Sequence, residues 1–506
     1  MLVVLHRLIE VYFIYSDILF KMQSTLHFPK ENPMNLDEFE KNAHEVVKWM
    51  ANYLKNIESF PVKSQVSPGS IKASLPTLPP TLPHNFNEIM DDLNRVIMPG
   101  VTHWQHPMFF AYFPANSSPA SVIAEMITAT LGLQCMLWET SPSATELEQR
   151  MMEWLRDMFG LPQQFTGVIQ DTASISTLSA LLVARERGSR FEAMKRGMHD
   201  STRMAVYCSS EAHSSVDKAV RVIGIGHENL RKIAVDENFA MRPEDLERQI
   251  LEDLALGITP IAVVATIGTT GCGAVDPITA IGEICGRHGI WLHVDAAYAG
   301  TALILPEMRW SIEGINYVDS LVTNPHKWLP VNFDCSTLFV RDPESLQRTF
   351  EIYPEYLKTS RDGQVQDFRN FGIQLGRRFR ALKLWMVIRS YGVTGLQNLI
   401  RNHIQFANEA CQELASQPDF EVLAPCHFAL VTFRYHPKDI DDEEGLNQLN
   451  RKLLDKINSS GKLYMTHTVL SGRYTLRLSI GQTTTTRDHV RVALEEIMST
   501  ARGTRT

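Results

Sequence analysis

The sequence predicts an α/β protein built on a mostly parallel sheet with helices on both faces. Two observations support this prediction. Between about residues 165 and 340, short apolar runs alternate with stretches of helical periodicity. The apolar runs are continuous and rich in β-branched residues, as in strands that are buried on both faces. Such a sheet binds ligands at the carboxyl ends of its strands, where we expect the functional residues.

Length and composition are those of an ordinary folded protein. The chain has 506 residues, of which 44% are hydrophobic and 21% charged. At roughly 150 residues per domain, two to four structural units are expected. The net charge of −8 argues against a general nucleic-acid binder, which needs clustered lysines and arginines. We expect neither a nucleic-acid nor a membrane partner.

The cysteine pattern indicates a reducing compartment. The chain has seven cysteines, an odd number, and no CxxC pair. Neither a disulfide framework nor a zinc ribbon has this pattern. We therefore expect buried free thiols, no metal and a cytoplasmic location.

The first 33 residues stand apart from the rest. Residues 1–20 are apolar but interrupted by charges such as Arg7, which fits neither a membrane-spanning helix nor a signal peptide. We interpret residues 1–33 as an appended segment. Alternatively, translation starts at an internal methionine, with Met22 and Met34 as candidates.

Helices are predicted to precede the sheet. Residues 35–57 have helical periodicity, residues 61–83 are rich in proline, and residues 85–97 form a second helix before a Pro-Gly break. We expect a helical arm rather than an independent core.

The elements of the sheet follow one another along the chain. Strands are predicted over 203–209, 231–235, 260–268, 290–296, 318–323 and 336–340. Helices are predicted over 173–187, 214–222, 242–254 and 277–288. Beyond them, residues 355–372 are polar and predict a mobile loop, residues 375–391 predict a long helix, and the remainder predicts a small α+β domain.

Four features fall at the predicted strand ends. Asp295 ends an apolar strand, although a helix cap would explain it equally well. Lys327 ends the next strand, where a surface lysine is the ordinary interpretation. Residues 170–178 form a hydroxyl-rich turn that opens a helix and suits a phosphate group. His213 opens another helix, and a single histidine is more often structural than catalytic.

Taken together, these features suit pyridoxal 5′-phosphate. Its aldehyde needs a lysine for a covalent bond, and its ring nitrogen needs an acidic partner. Its phosphate needs a cluster of N–H donors. No Walker A motif, GxGxxG motif or GxSxG motif offers a competing site.

The chain resembles the group II pyridoxal-phosphate-dependent decarboxylases, most of all the aromatic-L-amino-acid decarboxylases. The resemblance runs from about residue 35 to the C-terminus. Its blocks include HVDAAYAG at 293–300 and NPHKW at 324–328. The full set of blocks covers residues 98–114, 141–148, 167–174, 211–216, 235–242, 265–271, 291–300, 324–336 and 376–385.

The resemblance implies the type I fold of pyridoxal-phosphate-dependent transferases and a division of the chain. Residues 34–115 would be an N-terminal helical dimerisation segment, residues 116–391 the large cofactor-binding domain, and residues 392–506 the small C-terminal domain. The family forms homodimers with shared active sites.

The resemblance also assigns roles to residues. Lys327 would bond to the cofactor, Asp295 would pair with its ring nitrogen, and His213 would stack on the ring and contact the substrate carboxylate. The phosphate and ring would further be held by Ala173, Ser174, Thr270, Ala297, Asn324 and His326.

Phe368 is the main departure from the family pattern. The family carries a catalytic tyrosine on its mobile loop, and the resemblance places Phe368 at that position. A tyrosine hydroxyl can protonate the substrate Cα after carbon dioxide leaves, whereas phenylalanine has no proton to donate. Family members with phenylalanine there are aromatic acetaldehyde synthases. Alternatively, His213 or water supplies the proton.

The substrate pocket differs from the family pattern as well. Asp171 replaces a glycine beside the phosphate turn. Gln134 and Met136 would replace an isoleucine and a phenylalanine contributed across the dimer, and Gln374 lies where plant members set substrate choice. The expected substrate residues are Phe113, Pro114, Ala115, Gln134, Met136 and Gln374.

These observations lead to three functional hypotheses. The first is decarboxylation of an L-amino acid, expected to be aromatic, to its amine and carbon dioxide. The second is aromatic acetaldehyde synthesis, because of Phe368. The third is a dimeric binding protein that has lost activity, against which Lys327, Asp295 and His213 argue.

Overall fold

The computed structural model describes residues 34–198, 203–352, 355–357, 361 and 363–504. The segment 1–33 and part of the predicted loop 355–372 lie outside the described residues. The chain divides into two compact units. The described part of the first comprises residues 34–60 and 64–101, and that of the second comprises residues 61–63 and the described residues between 102 and 504.

The first unit is helical, as predicted. Its helices are α1 (Leu36–Lys55), α2 (Ser70–Ser74) and α3 (Phe86–Asp92). Helix α3 continues as a π-helical segment, Leu93–Ile97, and then as a 3₁₀ turn, Met98–Gly100. Asn35 and Asn85 each cap a helix, since the side chain accepts the backbone N–H of a glutamate three residues later. Helix α1 buries none of its residues in the chain.

A seven-stranded sheet forms the centre of the second unit. Its strands are β1 (Thr166–Gln170), β2 (Met204–Ser209), β3 (Leu230–Ile233), β4 (Thr259–Thr266), β5 (Trp291–Asp295), β6 (Ser320–Thr323) and β7 (Ser336–Val340). All six predicted strands are present, and β1 is an additional one.

The strand order is β1-β7-β6-β5-β4-β2-β3. Strands β6, β5, β4, β2 and β3 pair in parallel, whereas β7 is antiparallel to both β6 and β1. The predicted mostly parallel α/β fold is therefore confirmed. Strand β5 lies between two parallel neighbours, so its five residues are buried on both faces.

Helices cover the sheet on both faces. They are α4 (Pro119–Leu131), α5 (Pro142–Phe159), α6 (Ala173–Gly188), α7 (Ala193–Arg196), α8 (Ser215–Val222), α9 (Pro243–Ala255), α10 (Ile278–His288), α11 (Pro325–Trp328) and α12 (Pro343–Phe350). The four predicted helices correspond to α6, α8, α9 and α10. Two large apolar clusters fill the space between the sheet and these helices.

The C-terminal region adds helices and a small antiparallel sheet. The helices are α13 (Arg380–Ser416), α14 (Glu443–Ser459) and α15 (Arg487–Arg502). The strands are β8 (Phe420–Val422), β9 (Leu430–Tyr435), β10 (Thr466–Leu470) and β11 (Arg473–Ser479), in the order β10-β11-β9-β8.

Helix α13 is kinked at Gly392, whose φ of 64° only glycine adopts readily. The kink coincides with the predicted domain boundary at 391/392, and the boundary itself stays a prediction. Within the described ranges, no helix is long and apolar enough to cross a membrane.

Candidate active site

The carboxyl ends of the parallel strands meet at one cavity of about 230 Å³. Asp295 is the last residue of β5, Thr266 is the last residue of β4, and Lys327 lies in α11 directly after β6. The lining residues are Phe113, Thr172, Ala173, Ser174, His213, Thr266, Gly268, Thr270, Asp295, Ala297, Tyr298, Asn324, His326 and Lys327. The structure thus brings together all nine residues that were predicted to bind the cofactor.

Lys327 lies beside an aromatic ring. Its Nζ lies 5.2 Å from the ring centre of Phe113. Burial lowers the pKa of the Lys327 ammonium, the charge of Arg477 lowers it further, and Asp295 opposes both effects. A lowered pKa raises the fraction of neutral amine, which is the nucleophilic form.

Asp295 is a buried carboxylate with 6% of its surface exposed. Its Oδ1 accepts the backbone N–H of Ala297 at 3.0 Å. In the described part of the chain, no cation forms an ion pair with it. A buried carboxylate is costly without a positive partner, so its position favours a ligand that presents a cationic group.

The proton position of His213 follows from its hydrogen bonds. Its Nδ1 accepts the backbone N–H of Ser215 at 3.1 Å and lies 2.9 Å from the Ser215 hydroxyl. Burial lowers the pKa of His213. The neutral ring with Nδ1 as acceptor carries its proton on Nε2, which is therefore a hydrogen-bond donor.

The start of α6 provides the predicted anion site. Thr172 precedes the helix with extended backbone angles, and Ala173 and Ser174 form its first turn. The first N–H groups of a helix have no carbonyl partner within it and attract anions. The Asp171 carboxylate is engaged in other hydrogen bonds. It accepts the N–H of Thr172 at 2.6 Å and the side-chain amide of Gln374 at 3.4 Å.

Asn324 and His326 flank the lysine segment. The Oδ1 of Asn324 is buried without a hydrogen-bond partner among the described residues. His326 Nδ1 accepts the backbone N–H of Cys335 at 2.8 Å, and burial lowers the pKa of His326 to about 3. The bond ties α11 to the residue before β7, and the lowered pKa favours the neutral form of His326.

A stack of aromatic rings, which the sequence pattern did not predict, lies beside the cavity. The ring centres of Phe113 and Tyr298 lie 3.8 Å apart, and those of Tyr298 and Trp328 lie 4.7 Å apart. Arg477 lies over Phe113 at 5.3 Å and donates to the carbonyl of Gly271. Arg477 alternates with apolar residues in 473-RYTLRLS-479, a pattern that predicts a solvent-facing side chain rather than a buried one.

Five of the expected substrate residues do not line this cavity in their own chain. Pro114 and Ala115 follow Phe113 but lie outside the lining. The side chain of Gln134 accepts the backbone N–H of Arg377 at 3.1 Å, and the Met136 carbonyl accepts that of Arg369 at 3.1 Å. The amide of Gln374 binds Asp171. Their contact with substrate stays a prediction.

Phe368 also lies elsewhere, which corrects its expected place on a mobile loop. It belongs to a short helical turn, Phe368–Phe371, and is 2% exposed. Its ring packs against Phe371, and the Arg377 guanidinium lies 5.1 Å from its centre. Arg377 in turn pairs with the buried Glu148 at 2.5 Å. The local sequence pattern does not predict that Phe368 and Phe371 belong to the hydrophobic core.

The cavity has the chemistry that pyridoxal phosphate requires. An unpaired buried carboxylate, a lysine of lowered pKa and a helix N-terminus face the same space. The side chains of Asn324 and Thr266 add buried oxygens that have no partner within the described residues. These groups match the ring nitrogen, the aldehyde and the phosphate of the cofactor.

Comparison with known families decides the assignment. The pyridoxal-dependent decarboxylase conserved domain matches residues 68–436.

The chain belongs to the pyridoxal-dependent decarboxylase family.

This decarboxylase is similar to two curated plant enzymes along nearly its whole length. It is 44% identical over 479 residues to phenylacetaldehyde synthase from Arabidopsis thaliana, covering 93% of this chain and 97% of the relative. It is 44% identical over 472 residues to tyrosine decarboxylase 2 from Narcissus pseudonarcissus, covering 91% and 93%.

The solved structures agree. The crystal structure of TDC from Oryza sativa with PLP and tryptamine superposes with a TM-score of 0.91 at 37% identity, covering 94% of this chain and 99% of that one. The predicted family, fold and cofactor are confirmed. The protein is a pyridoxal-phosphate-dependent carboxy-lyase that acts on an amino acid.

Proposed function

We propose that this enzyme converts an aromatic L-amino acid to its amine and carbon dioxide. The observation that carries the proposal is the aromatic wall beside Lys327, formed by Phe113 stacked on Tyr298 at 3.8 Å. An aromatic side chain packs favourably against such rings. The tyrosine and tryptophan decarboxylases among its relatives support the same substrate class.

The predicted site residues have complementary tasks toward the cofactor. Lys327 would bond to it, and Asp295 would hold the proton of its ring nitrogen. The N–H groups of Ala173 and Ser174 would bind its phosphate, and Thr270, Ala297, Asn324 and His326 would enclose the rest. When bound, pyridoxal phosphate supplies an electron sink for negative charge at the substrate Cα.

The protein side chains then orient the substrate and control its protons. The Nε2–H of His213 would bind the substrate carboxylate, whose loss is favoured when it lies in an apolar surrounding. The Asp295 carboxylate would favour a positive charge at the ring nitrogen, which would stabilise negative charge at the substrate Cα. Its burial makes this interaction stronger than it would be in water.

A proton must reach the substrate Cα for the amine to form. Phe368 has no proton to donate and lies in the core of its own chain. Tyr356 is the one tyrosine in residues 355–372. We therefore assign the proton donor to the Tyr356 phenol, whose chemistry is suited to this step.

A second candidate is supported by a specific relative. Phenylacetaldehyde synthase from Arabidopsis thaliana is 44% identical to this chain over 479 residues. In that reaction, an aromatic amino acid, dioxygen and water give an aldehyde, carbon dioxide, ammonia and hydrogen peroxide. It competes with amine formation when the Cα proton is delivered slowly.

A product assay distinguishes the two. Purified enzyme loaded with pyridoxal phosphate is incubated with phenylalanine, tyrosine, tryptophan and, as a non-aromatic control, glutamate. Amine, aldehyde and peroxide are measured separately, with and without oxygen. Amine from an aromatic substrate without oxygen is expected. Equal amounts of aldehyde and peroxide without amine would establish the second candidate, and turnover of glutamate alone would exclude both.

We also propose a cytoplasmic homodimer, in which residues 34–115 serve assembly. Exposed apolar side chains on the separate helices α1 and α4 support an interface, namely Leu36, Phe39, Val47, Leu54, Ile123, Met126, Ile127 and Leu131. The seven cysteines are free thiols, as in reducing compartments. Light scattering of the purified protein and cell fractionation test these statements.

A further inference from the structure

His293 is a fully buried histidine on β5, two residues before Asp295. Side chains two residues apart on a strand point to the same face of the sheet. The ring of His293 reaches the helix on that face, since its Nε2 lies 3.3 Å from the hydroxyl oxygen of Thr177 in α6. Thr177 lies one turn after Ala173, which begins this helix and the predicted anion site. His293 therefore connects the strand of the buried carboxylate to the helix of the anion site.

The other ring nitrogen of His293 binds a neighbouring strand. Its Nδ1 lies 2.9 Å from the hydroxyl oxygen of Ser320, the residue that pairs with His293 between β5 and β6. The same oxygen accepts the indole N–H of Trp291 at 2.8 Å. The Ser320 hydroxyl donates to Nδ1, because its proton would otherwise have no acceptor among the described residues. Burial lowers the pKa of His293 to about 4, so the ring is neutral and its Nε2–H donates to Thr177.

This chain of hydrogen bonds joins three elements that each carry a part of the site. Lys327 follows β6, Asp295 ends β5, and Ala173 begins α6. Neither His293 nor Thr177 lines the cavity, so both act on the site only through the elements they join. Hydrogen bonds are directional, whereas apolar contacts are not, so this chain fixes the separation of the elements more closely than packing alone.

The shape of pyridoxal phosphate makes this separation important. In that molecule a methylene group joins the phosphate to a rigid ring, so the distance from phosphate to ring nitrogen hardly varies. A carboxylate and a helix N-terminus can hold both ends at once only when their own separation matches the molecule. A mismatch would leave one end bound and the other without its partner.

We propose that His293 is a positioning residue, whose hydrogen bond to Thr177 sets the spacing between Asp295 and the first turn of α6 so that both can hold one cofactor molecule. The proposal rests on the roles proposed above for Asp295 and for the first turn of α6. It adds a task for two residues that lie outside the cavity.

The test compares two ligands, pyridoxal 5′-phosphate and pyridoxal, which lacks the phosphate. Full-length enzyme is freed of cofactor and titrated with each ligand, and the two Kd values are measured by absorbance and by equilibrium dialysis. His293→Asn keeps a polar group near Ser320 but is too short to reach Thr177. We expect its Kd for pyridoxal phosphate to rise about tenfold. Its Kd for pyridoxal should stay within about twofold, because a ligand with one anchor does not depend on the spacing.

Variants of the partner residue test the same bond from the helix side. Thr177→Val removes the acceptor and should have the effect of His293→Asn, so the test stands where one of the two variants fails to fold. His293→Gln places an amide near the position of Nε2, and Thr177→Ser keeps the hydroxyl, so both should restore the affinity for pyridoxal phosphate. The double variant of His293→Asn and Thr177→Val should bind no more weakly than either single variant, because both remove one bond.

Tyr207→Phe is the matched control for the loss of a buried hydrogen bond. It removes the bond of 2.7 Å from the Tyr207 hydroxyl to Asp253, and neither of these residues lines the cavity. The thermal midpoint should fall, while the ratio of the two Kd values should stay that of the unaltered enzyme. If His293→Asn and Thr177→Val weaken both ligands equally, or neither ligand, the proposal is overturned.

Asp295→Asn separates this proposal from the roles on which it rests. If that variant binds both ligands as the unaltered enzyme does, the role proposed for Asp295 is wrong, and the spacing proposal is wrong with it. If it weakens both ligands while His293→Asn leaves the ratio of the two Kd values unchanged, the role of Asp295 is supported and His293 is not a positioning residue.

Discussion

The indole N–H of Trp328 donates a hydrogen bond to Nδ1 of His403 over 3.1 Å. Both side chains are buried, with 0% and 1% of their surface exposed. Since Trp328 directly follows Lys327, the bond ties the segment that carries the lysine to α13. A buried donor left without its acceptor costs about 1–3 kcal/mol, so His403 contributes to both stability and site geometry.

Acid should destabilise the enzyme through three buried histidines. Burial lowers the pKa of His293 and of His403 to about 4, and that of His326 to about 3. Each therefore binds a proton more readily in the unfolded chain, where its pKa is 6.5. The free energy of unfolding is therefore highest above pH 6.5, with respect to these histidines, and it decreases as the pH drops toward 4. Denaturant unfolding at several pH values measures this slope.

Variants of His403 isolate the contribution of this histidine to the pH dependence of stability. His403→Gln keeps an acceptor for Trp328 and removes the titrating group, so the loss of stability between neutral and acidic pH should shrink by roughly 3 kcal/mol. His403→Leu also removes the acceptor and should be less stable even at pH 8. An unchanged pH slope in His403→Gln would show that this histidine is not the cause.

Replacing Lys327 should abolish covalent cofactor binding and reduce turnover to background. A neutral amine at this position is what bonds to the cofactor aldehyde, and the variant Lys327→Ala has none. Borohydride reduction followed by peptide mass spectrometry locates the attachment. Lys438→Ala, an exposed position, is the control and should retain both properties. Attachment at a different lysine would contradict the assignment.

Asp295→Asn should lower kcat by about 10²–10³, because an amide cannot stabilise a positive charge on the ring nitrogen. The amide oxygen can still accept the N–H of Ala297, so the backbone after β5 is expected to keep its course. Rate assays with saturating cofactor, together with circular dichroism, separate lost chemistry from lost folding. An unchanged kcat would mean that Asp295 does not face the ring nitrogen.

Phe368→Tyr is expected to leave the product unchanged and to destabilise the chain. The added hydroxyl would enter the core beside Phe371, and an unsatisfied buried hydroxyl costs about 1–3 kcal/mol. Product analysis and denaturant unfolding test the two parts separately. A shift toward amine in this variant would restore Phe368 as the determinant of product.

Tyr356→Phe is the complementary change, because it removes the one phenol in residues 355–372. Amine formation should fall, and aldehyde with equimolar peroxide should rise in the presence of oxygen. The measurement is the ratio of amine to aldehyde under air and under nitrogen. If the ratio is the same as in the unaltered enzyme, another group delivers the proton.

Local patterns indicated four candidate features of the site, and the resemblance to a known family gave the residues their expected roles. Asp295, Lys327 and His213 lie at or after the ends of β5, β6 and β2, which run parallel, and the carboxyl ends of parallel strands meet at one edge of a sheet. The order of strands and helices was likewise readable, since continuous apolar runs mark buried strands.

Contacts between distant parts of the chain could be decided only by the tertiary structure. It placed Phe113 against Tyr298, put Arg477 beside them and put Phe368 into the core. None of these has a local signature, because each depends on which surfaces meet when the layers pack. The sequence by itself determined the cofactor chemistry. Packing decided which aromatic side chains lie beside Lys327 and which, like Phe368, lie in the core instead.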